Sequence, residues 1–227
     1  LVRGTGDLRG LAAFETGLVY VQDAAARAAA LASGVEPGMR VLDCCAAPGG
    51  KSFAAAIAMQ NRGDITSCDL HAHKIALIEA GAARLGISIL HAQQQDATVF
   101  CPEWEQAMDV VIADVPCSGL GVIRKKPDIR YKDAAQLAGL PRVQTAILET
   151  VCRYVKPGGM LLYSTCTVLK RENEDILEAF LAAHPEFQPE RFTLPAGSGV
   201  TDTAMATLLP QRQGTDGFFI CRLRRHA

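Results

Sequence analysis

Short apolar runs alternate along this chain with longer stretches rich in good helix formers. Runs that read as strands fall at 41–42, 65–68, 87–91, 108–113, 160–164 and 217–223. Stretches that read as helices fall at 24–32, 53 to about 60, 71–85, 134–155 and 172–183, with Leu140-Pro141 marking a break or new start inside the fourth. Asp23 is placed to cap the first helix, Ser33-Gly34 and Gly86 to stop two of them, and Pro37-Gly38 to turn into the first strand. Strands alternating with helices predict an α/β fold, a mostly parallel sheet with helices on both faces. Leu18-Val19-Tyr20-Val21 is a further β-branched and aromatic run, residues 1–17 are Gly-rich and weakly patterned, and residues 195–199 read as loop.

The stretch VLDCCAAPGGKS, from Val41 to Ser52, organises the rest. An apolar run ends on Asp43, small residues and two glycines follow, and a helix begins. In an open α/β sheet that strand–turn–helix is where a ligand sits, because glycine lets backbone come close and a helix start has free N–H donors. A Walker phosphate loop, G-x-x-x-x-G-K-[ST], fits at Gly50-Lys51-Ser52 but has Cys45 where its first glycine belongs. No G-x-G-x-x-G occurs here. The turn alone leaves cofactor binding and plain packing both open.

Acids recur at or just after strand ends: Asp43, Asp69, Asp96 and Asp114. A single such Asp is commonly a helix cap, but four in successive units lie along the edge where open sheets bind ligands. Asp69 also has roughly the 20-residue spacing from the first turn that suits a ribose diol. On the same edge, Asp114-Val115-Pro116-Cys117 puts a carboxylate and a thiol on one proline-stiffened loop, and Cys166 ends the next strand. Two thiols and an acid could form one site, in which a catalytic cysteine needs a lowered pKa. Inert buried cysteines or a redox pair are the competing readings.

Composition narrows the rest. The 227 residues are 49% apolar and 21% charged, ordinary for one large soluble domain or one with a small appendage. The net charge of −1 neither demands nor forbids a nucleic-acid partner. No run is long enough to span a bilayer and no signal peptide opens the chain, which starts on Leu1 as a piece of a longer protein would. Eight cysteines without a C-x-x-C pair favour neither disulfides nor zinc. Cys68 and Cys221 read as small buried hydrophobes, and a reducing cytoplasm is the expected compartment. His71 and His73 lack further ligands, so no metal site is expected.

Taken together, GLVYVQDAA at 17–25, CAAPGGKS at 45–52, DVPCSGLGVIRKKPDIR at 114–130, GGMLLYSTCT at 159–167, RENE at 171–174 and TDGFF at 215–219 resemble a known family. The chain is similar to the catalytic domain of bacterial RNA cytosine-5 methyltransferases, most of all the small-subunit ribosomal RNA methyltransferase B group. That resemblance implies a class I S-adenosylmethionine-dependent methyltransferase fold, a Rossmann-like seven-stranded sheet with its last strand antiparallel. It implies S-adenosylmethionine as methyl donor and a cytosine of ribosomal RNA, single-stranded or flipped out, as acceptor. Cys45, Ala46, Ala47, Pro48, Gly49, Gly50 and Lys51 would line the methionine and ribose, Asp69 would hold the ribose hydroxyls, and Asp96 would lie beside adenine. Asp114 would stand near sulfonium and base. Cys166 matches the family's nucleophile and Cys117 the cysteine that assists product release. Lys51 could steer Asp114 or the thiolate, or be a surface lysine. The basic stretch Arg124, Lys125, Lys126, Arg130 and Lys132 is expected to meet RNA phosphates. Residues 1–22 are expected to be the remnant of a preceding RNA-binding region, and 23–227 the catalytic domain. A binding module of this fold without turnover, an RNA or tRNA cytosine-5 methyltransferase of a related group, and a P-loop nucleotidase remain the alternatives.

Overall fold

In a computed structural model, which describes residues 6–195 and 198–227, the apolar runs lie side by side in one sheet. Its strands are β1 (Arg40–Asp43), β2 (Asp64–Asp69), β3 (Leu90–Gln94), β4 (Met108–Asp114), β5 (Val155–Thr165), β6 (Phe187–Pro189), β7 (Met205–Leu208) and β8 (Phe218–Arg225). The helices are α1 (Ala12–Glu15), α2 (Ala24–Ala32), α3 (Gly50–Ala58), α4 (Ala72–Arg84), α5 (Ala134–Ala138), α6 (Leu140–Val151), α7 (Glu174–Ala183) and α8 (Pro210–Gln213).

The strand order is β3-β2-β1-β4-β5-β8-β6, parallel from β3 through β5 and antiparallel at β8. Eight strands replace the expected seven. The outermost position is shared end to end by two short segments, β7 pairing with Phe218–Cys221 and β6 with Leu223–Arg225, so the sheet is still seven positions wide.

Because side chains alternate across a strand, each central strand feeds two cores. Val41, Val110, Ile112, Leu162 and Ile220 pack toward the alanines of α2 and α3. Leu42, Val111, Ala113, Leu161, Tyr163 and Phe219 pack toward Ile147, Leu148 and Val151 of α6 and Ile176, Leu177 and Phe180 of α7. Full burial of each large apolar side chain contributes roughly 1.5–3 kcal/mol, which fixes the strand ends that carry the site. Cys68 and Cys221 are buried in these cores, as expected.

Several expected bounds shift. The third strand is Leu90–Gln94 rather than 87–91, the fifth starts at Val155, and the 134–155 stretch divides into α5, α6 and a 3-10 turn at Cys152–Tyr154. The fifth helix begins at Glu174, after a 3-10 turn at Lys170–Glu172. The run 18–21 forms no strand, and Leu18 and Val21 are exposed. Arg84 fixes this segment, donating to the carbonyls of Phe14 and Val19 and stacking on the Phe14 ring. Of the expected loop at 195–199, positions 196–197 lie outside the described residues, as do positions 1–5 of the opening segment.

Candidate active site

The strand order reverses between β1 and β4, and the crevice outside the carboxyl ends of strands at such a switch point is where open α/β sheets take ligands. Asp43 ends β1 there. Gly49 follows with φ of 106°, and a Cβ on it would stand 2.4 Å from the Phe53 ring, so the turn needs glycine. Ser52 Oγ donates to Asp43 Oδ2 at 2.7 Å and accepts from Ser67 Oγ at 2.8 Å. A phosphate loop would turn that hydroxyl outward to a metal-bound nucleotide; here it is spent inside the sheet, which removes the Walker reading. Asp43 is fully buried and its Oδ1 has no partner. Burial pushes its carboxyl up to about 6, against the opposing pull of Ser52 and Lys51.

Lys51 is no surface lysine. Its Nζ lies 2.5 Å from Asp114 Oδ2 and 5.1 Å from the centre of the Phe218 ring. Burial alone would lower the ammonium's pKa, but the carboxylates of Asp114 and Asp43 outweigh it and hold it raised. Asp114 Oδ1 accepts from Ser164 Oγ at 2.7 Å, so both carboxylate oxygens are oriented.

On the far side of Asp114, the sulfurs of Cys117 and Cys166 are 3.1 Å apart, both half-buried. The hydrogen bond from Cys117 pulls the Cys166 pKa down, and the Lys51 charge adds to this, against burial and Asp114. The same bond, with burial, pushes the Cys117 thiol up. Either sulfur could donate in this contact, and the opposite directions of the two shifts favour Cys117 as the donor and Cys166 as the more readily ionised thiol. All eight cysteines are free thiols.

Asp69 and Asp96 sit at adjacent strand ends, where Gln95 N–H donates to the Asp69 carbonyl. Each also caps a turn: Asp69 Oδ1 accepts from His71 N–H, and Asp96 Oδ1 from Thr98 N–H and Oγ1. The basic stretch divides. Lys125 Nζ lies 2.6 Å from Asp23 Oδ2 and 2.8 Å from Asp216 Oδ2, and Arg124 also pairs with Asp216 at 3.3 Å. Lys132 donates to the Ser118 carbonyl. Lys126 and Arg130 are exposed, without an ion-pair partner among the described residues. Among those residues no group of three or more His, Cys, Asp or Glu could hold a metal ion.

Gln22 escapes sequence reasoning. Tyr20 OH donates to its Oε1 at 2.8 Å, leaving Nε2 buried and unpaired. It lines a cavity of about 240 Å³ with Asp43, Cys45, Pro48, Gly50, Lys51 and Asp114. The QD pair inside GLVYVQDAA was the available signal, but it reads first as a helix cap. A larger groove of about 430 Å³ lies against α2, lined by Arg27, Leu31, Leu208 and Gln213, away from both thiols.

The family model described as 16S rRNA methyltransferase RsmB/F matches residues 30–224. The chain belongs to this family. A "Probable ribosomal RNA small subunit methyltransferase B" of Bacillus subtilis (strain 168) is 42% identical over 99% of this chain and 51% of that protein. A ribosomal RNA small subunit methyltransferase F of Serratia proteamaculans (strain 568) is 32% identical over 99% of this chain and 49% of its own. The chain therefore spans about half the length of these RsmB/F relatives. Among solved structures, PH0851 superposes with a TM-score of 0.90 at 34% identity, over 98% of this chain and 50% of that one. NSun6 from Pyrococcus horikoshii with SFG superposes at 0.84 and 27% identity, over 97% and 56%. The architecture is that of S-adenosylmethionine-dependent methyltransferases, the class expected from the sequence.

Proposed function

We propose that this domain transfers the methyl group of S-adenosylmethionine to carbon 5 of a cytosine in RNA, with 16S ribosomal RNA as the substrate class, through a covalent bond to Cys166. The observation that carries the reading is the pair of sulfurs 3.1 Å apart, beside the Lys51–Asp114 ion pair.

The residues present fit the methyl donor. Its amino-acid end carries a carboxylate and an ammonium, and the cavity at the glycine turn offers an unpaired buried donor, Gln22 Nε2, and an unpaired buried acceptor, Asp43 Oδ1. The first-turn N–H groups of α3 add donors. Cys45 to Lys51 would line this end, Asp69 the ribose and Asp96 the adenine. When bound, the cofactor supplies an electrophilic methyl group on a sulfonium.

Carbon 5 of cytosine is a poor nucleophile until something adds at carbon 6. The Cys166 thiolate forms the S–C6 bond, and the ring's 5,6-electron pair becomes available at carbon 5 to take the methyl group. Asp114, held by Lys51 and Ser164, accepts from the base's amino group and holds the ring in place for attack. A base then removes the carbon-5 proton, the double bond re-forms, and Cys166 leaves as thiolate. Cys117, one hydrogen bond away, donates to the departing sulfur.

RNA containing 5-fluorocytosine tests the assignment, because fluorine at carbon 5 blocks the elimination. Cys166→Ala is expected to abolish both adduct and methyl transfer, and Cys117→Ala to accumulate adduct even with unmodified RNA. The opposite pattern would move the nucleophile to Cys117. No adduct and no transfer with the intact thiols would leave a module that binds without turnover.

A further inference from the structure

Both cysteine loops are fixed by buried groups that the proposed chemistry does not use. Each cysteine is followed by a buried hydroxyl residue, and Ser118 Oγ donates to Thr167 Oγ1 at 2.8 Å, joining the loops one residue past their sulfurs. Cys117 is gripped from both sides. The Pro116 carbonyl accepts from Gln144 Nε2, and Ser118 N–H donates to Glu172 Oε2, each at 2.9 Å. Gln144 Nε2 also donates to that Glu172 oxygen at 2.9 Å, closing the grip. Cys166 is gripped likewise by the next residue along. Thr165 Oγ1 donates to Asn173 Oδ1 at 2.6 Å, and Asn173 Nδ2 donates to the Thr167 carbonyl at 3.2 Å. Tyr163 OH donates to the Glu172 carbonyl at 2.6 Å and fastens the whole turn to β5.

We propose that Glu172 and Asn173, with Gln144 as the bridge to the Cys117 loop, are positioning residues that set the separation of the two sulfurs. Packing alone does not account for them. Glu172 and Gln144 are 0% exposed, and Asn173 1%. A buried carboxylate without a cationic partner costs far more than an apolar side chain of the same volume, and Glu172 has no such partner among the described residues. Glu172 Oε1 and Gln144 Oε1 are also unpaired, a further cost. What the arrangement secures is backbone position on either side of both thiols.

The test reads the thiols directly. Gln144→Leu and Glu172→Leu remove the gripping polar groups at roughly constant volume, and iodoacetamide labelling of Cys166 across pH, located by peptide mass spectrometry, reports its ionisation. The groups facing Cys166 are Cys117, Asp114 and Lys51, all retained in both variants. The wild-type midpoint is expected below that of a free thiol near 8.5, and in the variants to rise by about one pH unit or more, because the Cys117 hydrogen bond lengthens. Methyl transfer is expected to fall roughly tenfold or more in kcat, with KM for RNA unchanged. Variants that bind cofactor as wild type does and keep the wild-type midpoint would overturn the proposal. Should Glu172→Leu fail to fold, Gln144→Leu alone decides it. The kinetic arm rests on the function proposed above, whereas the labelling arm does not. A wild type that forms no fluorocytosine adduct would sink that function and still leave the labelling comparison to judge the grip.

Discussion

Asp43 binds Ser52 through one oxygen and nothing through the other, and its carboxyl titrates at about 6 where an unfolded Asp titrates near 3.8. The folded state therefore holds this proton more tightly than the unfolded one. Its contribution to stability is complete below about pH 4 and is lost as pH rises through 6, by about 3 kcal/mol in all. Asp43→Asn keeps an acceptor for Ser52 and has no proton to lose. Urea midpoints at pH 4.5, 5.5 and 6.5 are expected to show the wild type losing ground to the Asn variant across that window; parallel curves would contradict the assignment. Asp43 and Asp114 were legible from sequence as strand-end acids, and Cys117 and Cys166 as thiols on the same edge, while Lys51 was left open between steering Asp114 and lying on the surface. Their partners were not legible. Ser164 meets Asp114 across 50 positions, and Gln144 meets Glu172 across 28. A hydrogen bond between distant segments leaves no local pattern: the apolar run before Ser164 marks a buried strand but not which side chain its hydroxyl meets.

At the scale of elements, Lys125 ties three together. It reaches from the loop after β4 to Asp23, which caps α2 by accepting from Ala25 N–H, and to Asp216, in the turn before β8. Asp216 is almost wholly buried, its side chain 4% exposed, while the lysine is 47% exposed. Solvent screens the lysine's share, but removing it leaves a buried carboxylate with only a 3.3 Å contact to Arg124. Lys125→Met is expected to cost about 1–3 kcal/mol, and Lys126→Met, with no partner to lose, less than about 0.5 kcal/mol. Chemical denaturation of the two variants side by side checks this, and equal midpoints would refute the tie. The strands at the centre of the sheet were legible because burial on both faces makes them continuous apolar runs. β3 is an edge strand that carries Gln93 and Gln94, so its apolar signal lay upstream at Ile87 and Ile89. β6 and β7 are three and four residues long, too short for alternation to register, and take their register only from β8.

The whole molecule carries 23 basic and 24 acidic residues, so its overall field does not draw RNA in, and any phosphate attraction must be local. Five basic residues follow the thiol loop in sequence, but folding commits three of them inward: Arg124 and Lys125 to Asp216, and Lys132 to the Ser118 carbonyl. Among the described residues the Lys126 side chain has no partner, and Arg130, whose Nε donates to the Pro127 carbonyl, keeps its two terminal nitrogens for phosphates. Each phosphate neutralised on a single strand adds about −0.7 to the slope of log affinity against log salt. Two contacts therefore give a slope of about −1.4, and five would give about −3.5. Titrating this domain with a fluorescent cytosine-containing single strand between 50 and 300 mM salt is expected to give the shallower value. Lys126→Ala and Arg130→Ala should each flatten it by about 0.7, while Lys132→Ala leaves it unchanged. A slope near −3.5 would mean that RNA breaks the internal pairs to recruit Arg124 and Lys125, in which case binding should also loosen the Asp23–Lys125–Asp216 tie and lower the stability that the Lys125 variant measures.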